Sequence, residues 1–357
     1  MVDNCKALVT YVKQSKLQDQ LSNTLKQENA TRWNSMLRLL DSILSAWDSL
    51  VHVLTLKKQS HKLLGIDKDM LTELVAFLQP FQTATLALEV FKQPTIQDVC
   101  FYRHLLLEHC AVIREDITFT NEDGVLEVVK HKDTVSFVQL KGVVHGQIVK
   151  KFKLDNIHVV AAMLDPRFKG WIVTRFGVGN DQFEQARETL TMRMLKKGGR
   201  DQEATGEKPA ASPKKKTRQS NSKYFWVGDR SKLSEQELEV ADNVCGATES
   251  LQRHIEAELA MYLHYTITQH DHIILEKGGL LLWWQSKSVK NEGWPLIAQV
   301  ACDVLCEPAS SAKSECNFSD AGNTITKKRN QLQPDKVDDL MFLRSSLMSA
   351  PHASHNY

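Results

Sequence analysis

The sequence predicts a mainly α fold, and three observations carry it. Long stretches repeat apolar residues at three- and four-residue spacing. Proline and glycine fall where such stretches stop. Only one short segment has the β-branched density of a strand. The chain has 357 residues, enough for more than one core, with 42% hydrophobic and 25% charged residues.

The first strong stretch is MLRLLDSILSAWDSLVHVL (36–54), in which Leu37, Leu40, Ile43, Leu44, Trp47, Leu50, Val51 and Leu54 form one apolar stripe. A second helix is expected over 70–91, with Pro80 interrupting or kinking it. A third is expected over 95–116, with Thr95 as N-cap behind Pro94. ITFTNEDGVLEVV (117–129) has the residues of a hairpin, but its helical surroundings favour a loop. A helix over 132–154 follows, weakened by Gly142 and Gly146.

Residues 198–223 change character: glycine, proline, serine and charge dominate, as in a disordered linker. Its PKKKTR (213–218) reads equally as a nuclear-import signal or as a solvated charge tract. Beyond it, 234–263 is helical in pattern. Pro295 opens a helix whose face is Leu296, Ile297, Val300, Ala301, Val304 and Leu305, and Pro308 closes it. Ser310 or Ser311 can cap the next helix, and Gly322 can end it. Pro334 starts a last helix with Val337, Leu340, Leu343 and Leu347 in line. None of these three short helices is stable alone. The segments so separated are 1–197, 198–223 and 224–350.

Net charge is +2, which argues against a global nucleic-acid field. Seven cysteines without a CxxC pair argue against a disulfide framework and a structural zinc site. No apolar run of about 18 residues suggests a membrane span, and the N-terminus lacks a signal-peptide core. No cofactor, metal or membrane partner is expected.

Several blocks then stand in one order: TRWNSML (31–37), FLQPFQTAT (77–85), PTI (94–96), AAMLDPRFKG (161–170), LLWW (281–284), WPLIAQVACDVLCEPASSAKSECNFSDAGNTI (294–325), KKRNQLQPDKV (327–337) and LMFL (340–343). In order and spacing they resemble hAT-superfamily transposases, with the last blocks similar to the hAT dimerisation domain. The resemblance covers roughly residues 1–170 and 250–347. It implies a split architecture, in which a helical insertion interrupts an RNase H-like catalytic core that C-terminal helices complete. This chain looks like the insertion plus the completion.

The family's DDE carboxylates hold divalent metal for DNA strand transfer. By motif, the third acid is Glu315, with Ser311 and Ala312 one turn before it. Two-metal chemistry needs several carboxylates around shared ions, and one cannot build that site. The family's first two acids are aspartates, and the only aspartates before Thr31 are Asp3 and Asp19, neither in a strand-like run, so the first half of the core is expected to be missing. The block also departs from the family pattern, with Cys316 where an arginine is usual and Asn317 where an apolar residue is usual. No Cys/His spacing suggests a BED zinc finger.

The resemblance suggests DNA contacts for Arg32 and Trp33, against a simple core role for that tryptophan. Lys327, Lys328 and Arg329 could meet phosphates or serve as a solvated connector. Asp165, before Pro166, reads as a structural turn residue. His270 and His272 around Asp271 read as an exposed loop rather than a metal site. Trp283 and Trp284 suit a core or a dimer seam, and Leu296, Val300, Leu340 and Leu343 join them as candidate dimerisation residues. The expectation is a transposase-derived nuclear protein without catalysis. It would pair with a second copy or with hAT-family relatives, and associate with DNA or chromatin. The alternatives are a truncated version of an active DDE transposase, and a remnant that folds poorly because its apolar faces have lost their partners.

Overall fold

The computed structural model describes residues 1–29, 34–120, 126–205, 235–289, 293–312, 314–315 and 333–349. Its helices are α1 (Val2–Gln14), α2 (Asn34–Ser45), α3 (Trp47–Leu56), α4 (Lys68–Leu88), α5 (Asp98–His109), α6 (Val135–Lys151), α7 (Asn156–Met163), α8 (Asn180–Thr205), α9 (Glu235–His264), α10 (Gln269–Ser286), α11 (Pro295–Leu305) and α12 (Pro334–Ser349). The described strands are β1 (Ile117–Thr120) and β2 (Leu126–Lys130). The fold is mainly α. The chain divides into two compact units, Met1–Leu88 with Leu105–Ile148, and Glu89–His104 with Val149–Tyr357.

The first unit buries Cys5, Leu8, Val9 and Val12 of α1 against Leu37, Leu40 and Ile43 of α2, Leu50 and Leu54 of α3, and Leu71 of α4. The stripe expected as one helix over 36–54 is two helices, bent by 67° at Ala46. Side chains take the carbonyls at the bend: Asn23 Nδ2 donates to Ser45 O at 3.0 Å, and Ser49 Oγ to Ala46 O at 2.8 Å. No single helix among the described residues is long and apolar enough to cross a membrane.

Pro80 does not end α4, which runs on to Leu88. Proline strips a hydrogen bond from the turn before it and crowds its carbonyls. In that turn His109 Nε2 donates to Phe77 O at 2.9 Å while its ring stacks on Phe77, 5.1 Å between centroids. In the same unit Lys141 is buried, its Nζ 2.7 and 2.8 Å from the carboxylate oxygens of Asp133. Asp133 also accepts from Ile113 N at 2.7 Å, which closes the base of β1 and β2.

Those strands correct the loop expected at 117–129. They pair antiparallel, Thr118 opposite Val128 and Thr120 opposite Leu126. The β-branched residues on both sides of NEDG outweigh the helical surroundings because the ladder satisfies its own backbone groups.

The second unit is built round α7, in which Val159 to Met163 are buried without a polar face. Such a helix must be covered on all sides. Ala186, Leu190 and Met194 of α8, Ile255, Leu259 and Tyr262 of α9, Trp283 and Trp284 of α10, and Ile297, Val300 and Val304 of α11 share this core. Helices from both sides of the glycine- and charge-rich stretch thus fold together. α8 runs to Thr205, past the start of the expected linker at 198, and residues 206–223 lie outside those described.

The helix expected over 95–116 spans Asp98–His109. Thr95 is not its side-chain cap: its buried Oγ1 accepts from Ala309 N at 3.1 Å, so the hydroxyl anchors the chain leaving α11.

Candidate functional site

The PTI, AAMLDPRFKG, LLWW and WPLIAQ blocks lie in the second unit, whereas FLQPFQTAT lies in the first. After α7 the chain turns through LDPRF, where Asp165 is fully buried and accepts from its own Arg167 backbone N–H at 2.9 Å. The Arg167 guanidinium adds Nε at 2.9 Å and Nη2 at 2.5 Å to the two carboxylate oxygens. Asp165 is therefore the turn residue its sequence suggests. The carbonyls that end α7 find partners far along the chain. Tyr262 OH donates to Met163 O at 2.8 Å, and Trp284 Nε1 donates to Leu164 O at 2.9 Å. Lys169 returns the arrangement by donating to the terminal carbonyls of α9, Tyr262 O and, at 2.6 Å, Tyr265 O. A cation there suits the negative end of a helix. Burial nevertheless lowers its pKa to about 8.

Asp271 organises the start of α10. Thr268 is the N-cap, its Oγ1 accepting from Asp271 N at 3.3 Å while Asp271 accepts from Thr268 N at 2.9 Å. This is a capping box with Asp in the reciprocal place. The same buried carboxylate accepts from Tyr265 OH, from Trp283 Nε1 at 2.9 Å and from Lys287 Nζ at 2.9 Å. Burial alone would raise its pKa. Donation by Tyr265, Lys287 and Thr268 outweighs that and holds it well below the usual carboxylate range. His270 and His272 are exposed beside it, in the first turn of α10 rather than in a loop. Among the described residues, no three His, Cys, Asp or Glu side chains are grouped to hold a metal ion.

Glu258 of α9 prepares α11. Pro295 opens that helix, and its N-cap residue Trp294 supplies no side-chain cap. Glu258 Oε1 takes that role from another helix, accepting from Ile297 N at 2.9 Å. Burial pushes the Glu258 carboxyl above its ordinary pKa, against the pull of the Ile297 and Leu296 N–H groups.

The expected dimerisation residues separate into two sets. Trp283, Trp284, Leu296 and Val300 are buried inside one chain. They shape the helices beneath a surface and could join a seam only by opening the core. Leu340 and Leu343 are exposed on α12, at 45% and 56%, beside Phe342 at 71%, while Val337 is buried. Phe342 falls outside the helical stripe of Val337, Leu340 and Leu343, so spacing alone does not single it out.

Glu315 is exposed on a helical turn. Its N–H donates to Ser311 O at 3.0 Å and its Oε1 accepts from Ser311 Oγ at 2.8 Å. Ser310 Oγ accepts from Ala312 N at 3.1 Å, so Ser310 caps this turn. Arg32, Trp33, Lys327, Lys328, Arg329 and the far end of the expected helix, including Gly322, lie outside the described residues.

Residues 258–347 match the hAT family C-terminal dimerisation region. The chain is also similar to Zinc finger BED domain-containing protein 6 of Mus musculus, 24% identical over 327 residues, and to that of Homo sapiens, 23% identical over 329 residues. Each alignment covers 90% of this chain, and 31% and 32% of the respective relatives. The chain thus spans about a third of the length of these curated relatives. The match begins at Glu258, so the capped α11, the Asp271 cluster and α12 up to Leu347 lie within the dimerisation region.

Proposed function

We propose that this chain, a hAT-transposase-related protein, works as a dimerisation module without catalysis of its own. It pairs with a second copy or with a hAT-family relative, and acts in the nucleus in association with DNA or chromatin. Its helices correspond to the insertion and the C-terminal completion of a split RNase H-like fold, in segments 1–197 and 224–350 around the basic stretch 198–223.

The observation that carries the reading is α12. It lies within the matched dimerisation region and turns Leu340, Phe342 and Leu343 to solvent. Exposed apolar residues gathered on one short helix are the mark of a surface that pairs, while Trp283 and Trp284 of α10 are committed to the chain's own core. The similarity to proteins named for a zinc finger BED domain supports the nuclear and DNA-associated part. Arg32, Trp33, Lys327, Lys328 and Arg329 are proposed as its nucleic-acid contacts.

Glu315 is proposed as a vestige of the DDE triad. It has Ser311 as its hydrogen-bond partner and belongs to no group of ligating side chains among the described residues. Co-expression of two differently tagged copies tests the pairing: each tag should retrieve the other wild-type copy. Retrieval undiminished by Leu340→Asp with Leu343→Asp would place the seam elsewhere, and no retrieval at all would reject the proposal.

A further inference from the structure

A cleft of about 580 Å³ runs between α8 and α9 in the second unit. Its floor is apolar: Leu195 of α8 with Leu259 and Leu263 of α9, each buried or half-buried. Met192 of α8 and Ala260 of α9 also line it and are exposed, Met192 at 66%. An open apolar channel between two helices is the shape that receives a third, amphipathic helix.

Three observations identify that helix as α12. The α9 side of the cleft, from Leu259 to His264, and α12 up to Leu347 both lie within the residues matched to the dimerisation region. Within one chain the cleft is open and Leu340, Phe342 and Leu343 are exposed, so the two surfaces do not cover each other in a single copy. Their charges are also opposite. Over 187–197, α8 carries Arg187, Arg193, Lys196 and Lys197 against Glu188 alone, whereas over 335–343 α12 carries Asp335, Asp338 and Asp339 against Lys336 alone. Those acids of α12 are exposed. Opposite charge beside an apolar seam selects a partner and orients it.

We propose that the α8–α9 cleft of one copy receives α12 of a second copy. This rests on the reading of α12 as the pairing surface and names what that surface meets. Leu340 and Leu343, three residues apart, share a helix face and enter the channel together. Phe342 suits the exposed Met192, because a thioether sulfur makes favourable contacts with aromatic rings. The contact is reciprocal, so a pair of copies makes it twice.

Sedimentation velocity of the full chain, each variant alone and then mixed, tests it. Met192→Glu with Ala260→Glu places two acids at exposed positions of the cleft and uses a good helix former. It should melt as wild type does and sediment at 40.5 kDa. Leu340→Asp with Leu343→Asp should do the same. An equimolar mixture of the two variants should form a species at twice that mass, which neither forms alone, because one copy keeps an intact α12 and the other an intact cleft. Its affinity should fall below wild type by about tenfold or more, since one contact replaces two. If the double cleft variant melts early, Ala260→Glu alone should weaken wild-type pairing by about tenfold. A cleft variant that doubles as wild type does, while the α12 variant stays single, would overturn the cleft and leave pairing through α12 standing. A mixture that stays single would do likewise. A wild-type chain that stays single would reject the pairing itself, and this contact with it.

Discussion

The indole N–H of Trp284 donates to the backbone carbonyl of Leu164 at 2.9 Å, joining residues 120 positions apart. Both groups are buried, so neither has water as a substitute. The bond explains why the LDPRF turn and the tryptophan pair occur together in one chain: each completes the other's polar groups.

Trp284→Phe keeps an aromatic ring and removes this donor. A buried carbonyl left without a partner costs about 1–3 kcal/mol. Urea denaturation followed by far-ultraviolet circular dichroism should show that loss, whereas Trp171→Phe, at a 40% exposed tryptophan, should stay within about 0.5 kcal/mol of wild type.

The Lys141–Asp133 pair makes a prediction confined to the first unit. Removing one member of a buried pair strands the other and typically costs about 3–5 kcal/mol. Asp133→Asn should therefore raise amide exchange in α1 to α4 and α6 while α7, α10 and α11 keep their protection. Uniform deprotection of both units would contradict this prediction.

Two carboxyls give opposite pH signatures. The folded pKa of Asp271 is depressed, so its stabilisation is complete above the unfolded value, about 4, and fades as pH falls below it. Asp271→Asn should thus lower the melting temperature most at neutral pH and least near pH 2. Asp98 is the reverse, a carboxyl raised to about 7, so the fold favours its protonated form and loses stability as pH rises from about 4 to 7. Asp98→Asn should raise the melting temperature at pH 8 and change it little at pH 4.

Glu315 should be dispensable for chemistry. Wild type and Glu315→Gln should be equally blank in a Mg²⁺- or Mn²⁺-dependent nicking assay on supercoiled DNA. Nicking by the wild type that Glu315→Gln removes would overturn the non-catalytic reading.

Much of the helical frame was legible in the residues themselves. α11 follows from Pro295, the Leu296-to-Leu305 face and Pro308, and α12 starts at the expected Pro334. What escaped depends on partners remote in sequence. α4 continues through Pro80 in a turn that His109 also bonds, and Thr95 serves Ala309 instead of its own helix. The bend at Ala46 needs Asn23. For the candidate site, Glu315 could be found by motif, but its solvent exposure could not. The role of Asp271 had a local signal in the spacing of Thr268 and Asp271, the two members of a capping box. Its links to Trp283 and Lys287 required the fold.

Sedimentation velocity of the full chain at micromolar concentration tests pairing through α12 most directly. Wild type should sediment at twice the 40.5 kDa chain mass, and Leu340→Asp with Leu343→Asp should sediment at that mass while melting as wild type does. A wild-type chain that stays at 40.5 kDa, or a double variant that still doubles, would contradict it.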